Sequence, residues 1–306
     1  MARKLQTDGK IRFQIIASVP DLDQVRREGE YFYTVLWYDC RTTDVPEEPR
    51  HMSDNLPATP RPSAALVLLR DVIEEGKEGI ELFMVRRHIQ SDFAPDVFVF
   101  PGGTVKQEDR TLESSMMALP QDSATALGTG FRAAAIRECF EEAGVLLARR
   151  GDQPLDFTGA EAERFASYRT QLQRKEITLN EIVAREGLTL LTDALLHWAH
   201  WITPEAWPKR FDTHFFLAEA PQGQLAAHDD LETTESVWIA PEVALSGFES
   251  GAFPLVFATI HQLRDLSEFA SYARAHERFA AVTPETIMPR IVEREGASVI
   301  LMPGEE

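Results

Sequence analysis

Glu138, Glu141 and Glu142 put three carboxylates within five residues, directly after Arg137. The stretch Phe131 to Ala148 has the composition of a helix, so these side chains are related by helical geometry. With about 100° per residue and Ile136 at zero, Cys139, Phe140, Ala143 and Leu147 form an apolar stripe within about 60°. Glu138, Glu141 and Glu142 then fall at about 200°, 140° and 240°, on the opposite face, with Arg137 at their edge. Like charges four residues apart repel in an isolated helix. A divalent cation turns that repulsion into attraction, and Mg²⁺ takes a few carboxylates together with water and phosphate oxygens. Acids opposite an apolar stripe are ordinarily just solvated. What singles these out is their context: Phe100, Pro101, Gly102 and Gly103 end an upstream strand, and Gly144 interrupts the helix directly after the glutamates. A helix-interior glycine costs about 1 kcal/mol against alanine, which points to a packing or functional reason.

The run Arg137-Glu-Cys-Phe-Glu-Glu-Ala-Gly-Val145 resembles the second half of the box of the Nudix hydrolases. The first half of that box is a glycine, five residues and an acid, found here as Gly103 with Asp109 or as Gly102 with Glu108. Between Asp109 and Arg137 lie 27 residues, where the family usually has seven. An inserted box is similar to the branch that includes peroxisomal acyl-coenzyme A diphosphatases, and the similarity continues through His197–Pro204 and Arg210–Leu217. The resemblance implies an α/β fold, a Nudix-type α/β/α sandwich around a mixed sheet with extra helices. It implies metal ligation by Glu138, Glu141 and Glu142, with Mg²⁺ or Mn²⁺ as cofactor. Arg137 would hold a carboxylate by a charge-assisted hydrogen bond, and Gly102 and Gly103 would let backbone approach metal and phosphates. A later acid would act as base, either Glu232 or Glu235, and Arg86 would touch a substrate phosphate. The implied reaction is attack of water on a diphosphate linkage in a nucleoside-diphosphate-linked small molecule, with coenzyme A or an acyl-coenzyme A as first substrate. Leu82-Phe-Met-Val-Arg-Arg-His88 departs from the further motif of the better-defined coenzyme A-directed members. The implied assembly is a homodimer. The competing class is a Nudix-fold module that binds or senses a ligand without catalysis, but such modules usually lose box carboxylates, and this chain keeps the three on the helix.

The elements that must position these groups begin near Ser63. Ala64–Arg70 and Ile80–Arg86 read as strands of a hairpin around a charged turn, and Val97–Phe100 as a third strand. Residues 111–130 read as a loop with a helical turn, and 160–199 as helical pieces broken near Ile177 and Gly187. Strands follow at Ala199–Thr203, Phe211–Ala218 and Ser236–Ile239. Pro241–Ser250 and Leu255–Ala275 read as helices, and Ser298–Met302 as a last strand; the helical additions at 160–199 and 254–276 are expected to cover one side. Residues 1–45, with strands expected at Ile11–Val19 and Tyr31–Tyr38, form an accessory segment or extension. Residues 46–62, with five prolines, read as a linker, and residues 63–306 as the hydrolase domain.

Composition narrows the function further. A net charge of −18 opposes binding to nucleic acid or an anionic membrane. A metal ion can still reverse the local charge for an anionic substrate. Two cysteines, Cys40 and Cys139, make neither a disulfide framework nor a cysteine-based zinc site. No apolar run reaches the length of a membrane span, the first ten residues lack a signal-peptide core, and Pro303-Gly-Glu-Glu306 is no peroxisomal address. Cytoplasmic is the expected location. His88, His197, His200 and His214 stand at no metal-ligand spacing in the sequence, and Trp198, Trp201, Trp207 and Trp238 read as core aromatics before base-stacking platforms.

Overall fold

The computed structural model describes residues 57–305 apart from 92, 116, 119–126, 230 and 295–296. The expected segment 1–45 and most of the linker lie outside the described residues. The chain divides into two compact units, the larger comprising 60–203 and 211–287.

The larger unit is built on a mixed sheet. Strand β1 (Arg61–Glu74) turns through Glu75 and Gly76, both at positive φ, into the antiparallel β2 (Lys77–Arg87). Positive φ at both central residues is the twist that a two-residue hairpin needs, and a glycine second is its usual solution. The strand expected to stop at Phe100 does so only briefly. β3 (Phe98–Val99) pairs with β2, and Gly102–Thr104 forms a further strand, β4, antiparallel to β1. Gly102 fits there because a Cβ would run into the backbone of Ala64 and Ala65. The remaining strands need ranges first: β5 (Ala148–Arg150), β6 (Gln153–Pro154) and β7 (Leu188–Leu190) make a small separate sheet. β8 (Leu196–Ile202), β9 (Phe211–Glu219), β10 (Thr233–Ile239) and β11 (Thr286–Ile287) complete the main one, in the order β10-β2-β1-β9-β8-β11. β9 runs parallel to β1, and β11 parallel to β8.

Alternation along the strands gives the sheet two apolar faces. Ala64, Leu66, Leu68, Phe83, Val85, Phe216 and Ala218 share one buried cluster with helix α2 (Phe131–Ala143). That cluster also takes in Phe165, Tyr168 and Leu172 of α3 (Ala160–Gln173) and Ile182 and Val183 of α4 (Leu179–Glu186). Thr178 and Glu181 start α4 with a reciprocal capping box. On the other face Phe98 stacks on Phe253 after α5 (Pro241–Glu249), and Trp201 meets Phe257 of α6 (Phe257–Leu266) edge-on. Helices therefore cover both faces, as the expected α/β/α sandwich requires, but the helical additions expected on one side are divided between the two.

Three expected helices end sooner. The glutamate helix stops at Ala143. Gly144, at φ 73°, closes it by donating its N–H to the Phe140 carbonyl, so this glycine is a terminator and not an interior residue. Residues 188–199 are strand and a short 3₁₀ turn, because their apolar side chains complete the small sheet and β8. The stretch Leu255–Ala275 breaks after Leu266, and α7 (Tyr272–Ala280) starts afresh with Ser271 capping the Arg274 N–H. Ahead of α2 lies α1 (Gln107–Glu113). No described helix is long and apolar enough to cross a membrane. In the smaller unit, β12 (Arg290–Arg294) and β13 (Ala297–Leu301) form a hairpin, and Arg210 donates to the Ala58 carbonyl at 2.8 Å.

Candidate active site

The glutamate face of α2 is not open to solvent. Arg137, Glu138 and Glu142 are buried, and Glu141 is nearly so. The cover is the segment from Gly102 to Asp109, held against β1 on one side and α2 on the other. The Gly102 N–H donates to Glu142 Oε2 at 2.9 Å. A Cβ on Gly103 would overlap the Glu138 carboxylate, so glycine there lets that carboxylate keep its position. Helical spacing thus sets the three acids side by side, and the glycine pair lets backbone lie directly over them.

Arg137 organises the cluster from inside. Its Nε and Nη2 donate to the two oxygens of Asp109 at 2.8 and 3.0 Å, a bidentate pair. Nη1 donates to Glu138 Oε1 at 2.7 Å and to Glu141 Oε1 at 3.0 Å, and Nη2 reaches the Thr104 carbonyl at 3.0 Å. Asp109 is itself fixed by accepting the Lys106 N–H at 2.7 Å, which caps α1. The choice between Glu108 and Asp109 left open by the sequence is decided at this contact: Asp109 is buried on Arg137. Lys106 Nζ lies 3.7 Å from Glu141 Oε1. The Glu141 carbonyl accepts from Arg169 and Gln173 of α3, which ties the end of α2 to its neighbour.

The charges do not balance within the cluster. Asp109, Glu138, Glu141 and Glu142 face one buried guanidinium and one half-exposed ammonium. Burial pushes both Glu138 and Glu142 above the ordinary carboxylate range; at Glu138 Arg137 opposes the rise and Glu141 adds to it, and at Glu142 the neighbouring Glu138 adds to it. Burial alone would lower the Arg137 guanidinium, but Glu138, Asp109 and Glu141 raise it on balance. Buried carboxylates of like sign need a compensating cation or neutralisation. Oxygen donors in this number fit Mg²⁺ or Mn²⁺. The residues that would hold it are Glu138, Glu141 and Glu142.

Residues 112–266, half of the chain, match the family model of the NUDT19 Nudix domain. The chain belongs to the Nudix hydrolases, in the NUDT19 branch. This Nudix chain is 27% identical to human acyl-coenzyme A diphosphatase NUDT19 over 271 residues, 75% of the chain and 72% of that protein. It is 24% identical to the Xenopus laevis protein of the same name over 268 residues, 74% of the chain and 70% of that protein. It spans between 66% and 72% of the length of the curated relatives it matches. Among solved structures, a NUDIX hydrolase from Alicyclobacillus acidocaldarius matches with a TM-score of 0.63 at 26% identity, covering 72% of this chain and 96% of that one. By family, the protein is a Nudix pyrophosphohydrolase.

Two of the residues singled out in the sequence stand apart from the Nudix cluster. Arg86 pairs with Asp96 at 2.9 Å and with Glu235 at 3.2 Å, and its guanidinium lies over Phe98. Alternation along β2 puts Val85 on the α2 face and Arg86 on the other, and Glu235 sits across from Arg86. The geometry therefore sets Arg86, the expected phosphate contact, and Glu235, one of the two expected bases, apart from the carboxylates. Arg87, next to Arg86, and Glu232, the other expected base, are the pair whose charges reach Glu142, Arg87 lowering its pKa and Glu232 raising it; the Arg87 guanidinium also donates to Ser91 Oγ and the Phe93 carbonyl. Strand periodicity alone distinguishes Arg87 from Arg86, once the inward face is known. Trp198 and Trp201 are buried in the core, and Trp238 packs on Phe83 beneath the Arg70 guanidinium.

Proposed function

We propose that the Nudix domain holds Mg²⁺ or Mn²⁺ on Glu138, Glu141 and Glu142 and hydrolyses the diphosphate linkage of a nucleoside-diphosphate-linked substrate. Coenzyme A or an acyl-coenzyme A is the first candidate. The observation that carries the reading is the surplus of buried carboxylate charge sealed beneath Gly102 and Gly103. The substrate class is supported by the human and Xenopus relatives named acyl-coenzyme A diphosphatase.

The residues divide the work. A bound divalent ion supplies charge neutralisation for diphosphate oxygens and acidifies water. Arg137 keeps three carboxylates oriented and is itself too enclosed to meet substrate. Lys106, beside Glu141, and Arg87, whose charge reaches Glu142, are the cations assigned to diphosphate oxygens. Glu232, from the loop before β10, is assigned to accept a proton from water, a role supported by its charge reaching Glu142. Backbone at Gly102 and Gly103 lies close to the acids because no side chain intervenes.

The test is a panel of coenzyme A, acyl-coenzyme A esters, nucleotide sugars, dinucleotide cofactors and diadenosine polyphosphates with Mg²⁺ or Mn²⁺. The expected result is metal-dependent cleavage of the diphosphate, fastest for the coenzyme A compounds. Preference for another member would overturn the substrate assignment. Turnover of none, with Mn²⁺ bound, would overturn the reaction.

A further inference from the structure

A second group of potential ligands lies on the α2 face of the sheet, under the start of the helix and separate from the glutamates. Asp212 and His214 project from β9, and His200, which pairs with His214 across β8 and β9, projects beside them. One ligand atom from each of His200, Asp212 and His214 lies within 4.8 Å of the others. His200 Nε2 is 2.5 Å and His214 Nε2 3.8 Å from Asp212 Oδ1, and the two imidazoles are stacked with centroids 3.9 Å apart. Phe131, the first residue of α2, meets His214 edge-on. Seven residues of helix, about 10 Å of rise, separate Phe131 from Glu138.

We propose that His200, Asp212 and His214 form a second metal site, for a transition ion such as Zn²⁺ and not for Mg²⁺. Two imidazole nitrogens and one carboxylate suit Zn²⁺, Co²⁺ or Ni²⁺, whereas Mg²⁺ selects oxygen. The far nitrogen of each imidazole is already engaged: His214 Nδ1 with His197 Nε2 at 2.9 Å, and His200 Nδ1 with Thr286 Oγ1 at 2.8 Å. Metal-bound histidines are oriented by such outer contacts. The near nitrogens turn towards the same carboxylate oxygen. Asp212 is one-third exposed and leaves a path for an ion. The ion would tie β8 and β9 together and, through Thr286, reach β11. The sequence hides this group because the bulge between His197 and Ala199 and the pairing of separate strands create it.

Full-length protein freed of metal with a chelator and titrated with CoCl₂ or ZnCl₂ in excess Mg²⁺ tests the site. Visible cobalt spectra and calorimetry should give one tight site that persists in the Glu138→Gln/Glu141→Gln variant. His200→Gln and Asp212→Asn should each weaken it at least about 100-fold, and Thr286→Val about 10-fold. In wild-type protein, imidazole ¹⁵N resonances of His200 and His214 should shift on adding Zn²⁺, a readout that does not depend on a variant folding. Absence of a site beyond the glutamates, unchanged affinity in folded His200→Gln and Asp212→Asn, or unmoved imidazole resonances would overturn the proposal.

Discussion

Each acid around Arg137 does a different job. Glu142 takes a backbone N–H, and neutral glutamine can do the same while removing a buried charge. Glu142→Gln should therefore raise the melting temperature of metal-free protein by about 2–4 °C, the effect of roughly 1 kcal/mol in a domain of this size. It should also abolish the stabilisation by Mn²⁺. A lower melting temperature without metal would show that the cluster is not under charge strain. Asp109 is structural: it pairs bidentately with Arg137 and lies on a different element. Asp109→Asn should cost about 3 kcal/mol in urea unfolding, towards the low end for a broken buried pair because Glu138 and Glu141 remain. A loss below about 1 kcal/mol would remove Asp109 from that role. Glu232 and Glu235 separate cleanly. Glu232→Gln should lower kcat at least about 100-fold, while Glu235→Gln should leave kcat within a factor of a few, since its partner is Arg86 on the other face. The reverse order would restore Glu235 as base.

At the scale of elements, the site depends on how closely β4 and α2 approach. Gly103 is the point of contact, with the Glu138 carboxylate in the space a side chain would fill. Gly103→Ala should displace that carboxylate and lower turnover about 100-fold, the usual cost of shifting a catalytic group by about 1 Å. Circular dichroism should be unchanged. Normal turnover in this variant would mean that the close approach is incidental. The ordering of α2 follows the same logic. It is buried on the glutamate side as well as on the apolar stripe, so its stability comes from tertiary packing and from the Gly144 terminus.

For the whole molecule, the histidines on the sheet tie stability to pH. In metal-free protein His197 and His214 are held neutral by burial, by Arg132 and by the nearby histidines, with Asp212 on the same strand 3.8 Å from His214 Nε2. Their folded pKa values lie below the unfolded value of about 6.5. The unfolded chain then binds more protons as pH drops below about 6.5, and stability falls towards pH 4. The melting-temperature advantage of wild type over His197→Gln should accordingly shrink between pH 7 and pH 5, measured with chelator present. A difference independent of pH would mean that folding leaves the His197 pKa at its unfolded value.

The residue pattern by itself determined the carboxylate cluster: Arg137, Glu138, Glu141, Glu142 and Gly144 stand in a register that helical geometry brings together. It also determined most strands, because alternation and hairpin turns are local signals. What lay beyond it were facts of pairing. Whether Glu108 or Asp109 meets Arg137 depends on where α1 docks after the insertion. Arg86 and Arg87 were indistinguishable until the sheet had an inward face. His200, Asp212 and His214 became neighbours only when β8 and β9 paired. Chain order carries periodicity within an element, whereas contacts between elements follow from burying the apolar faces of all of them at once, and only the folded sheet fixes those.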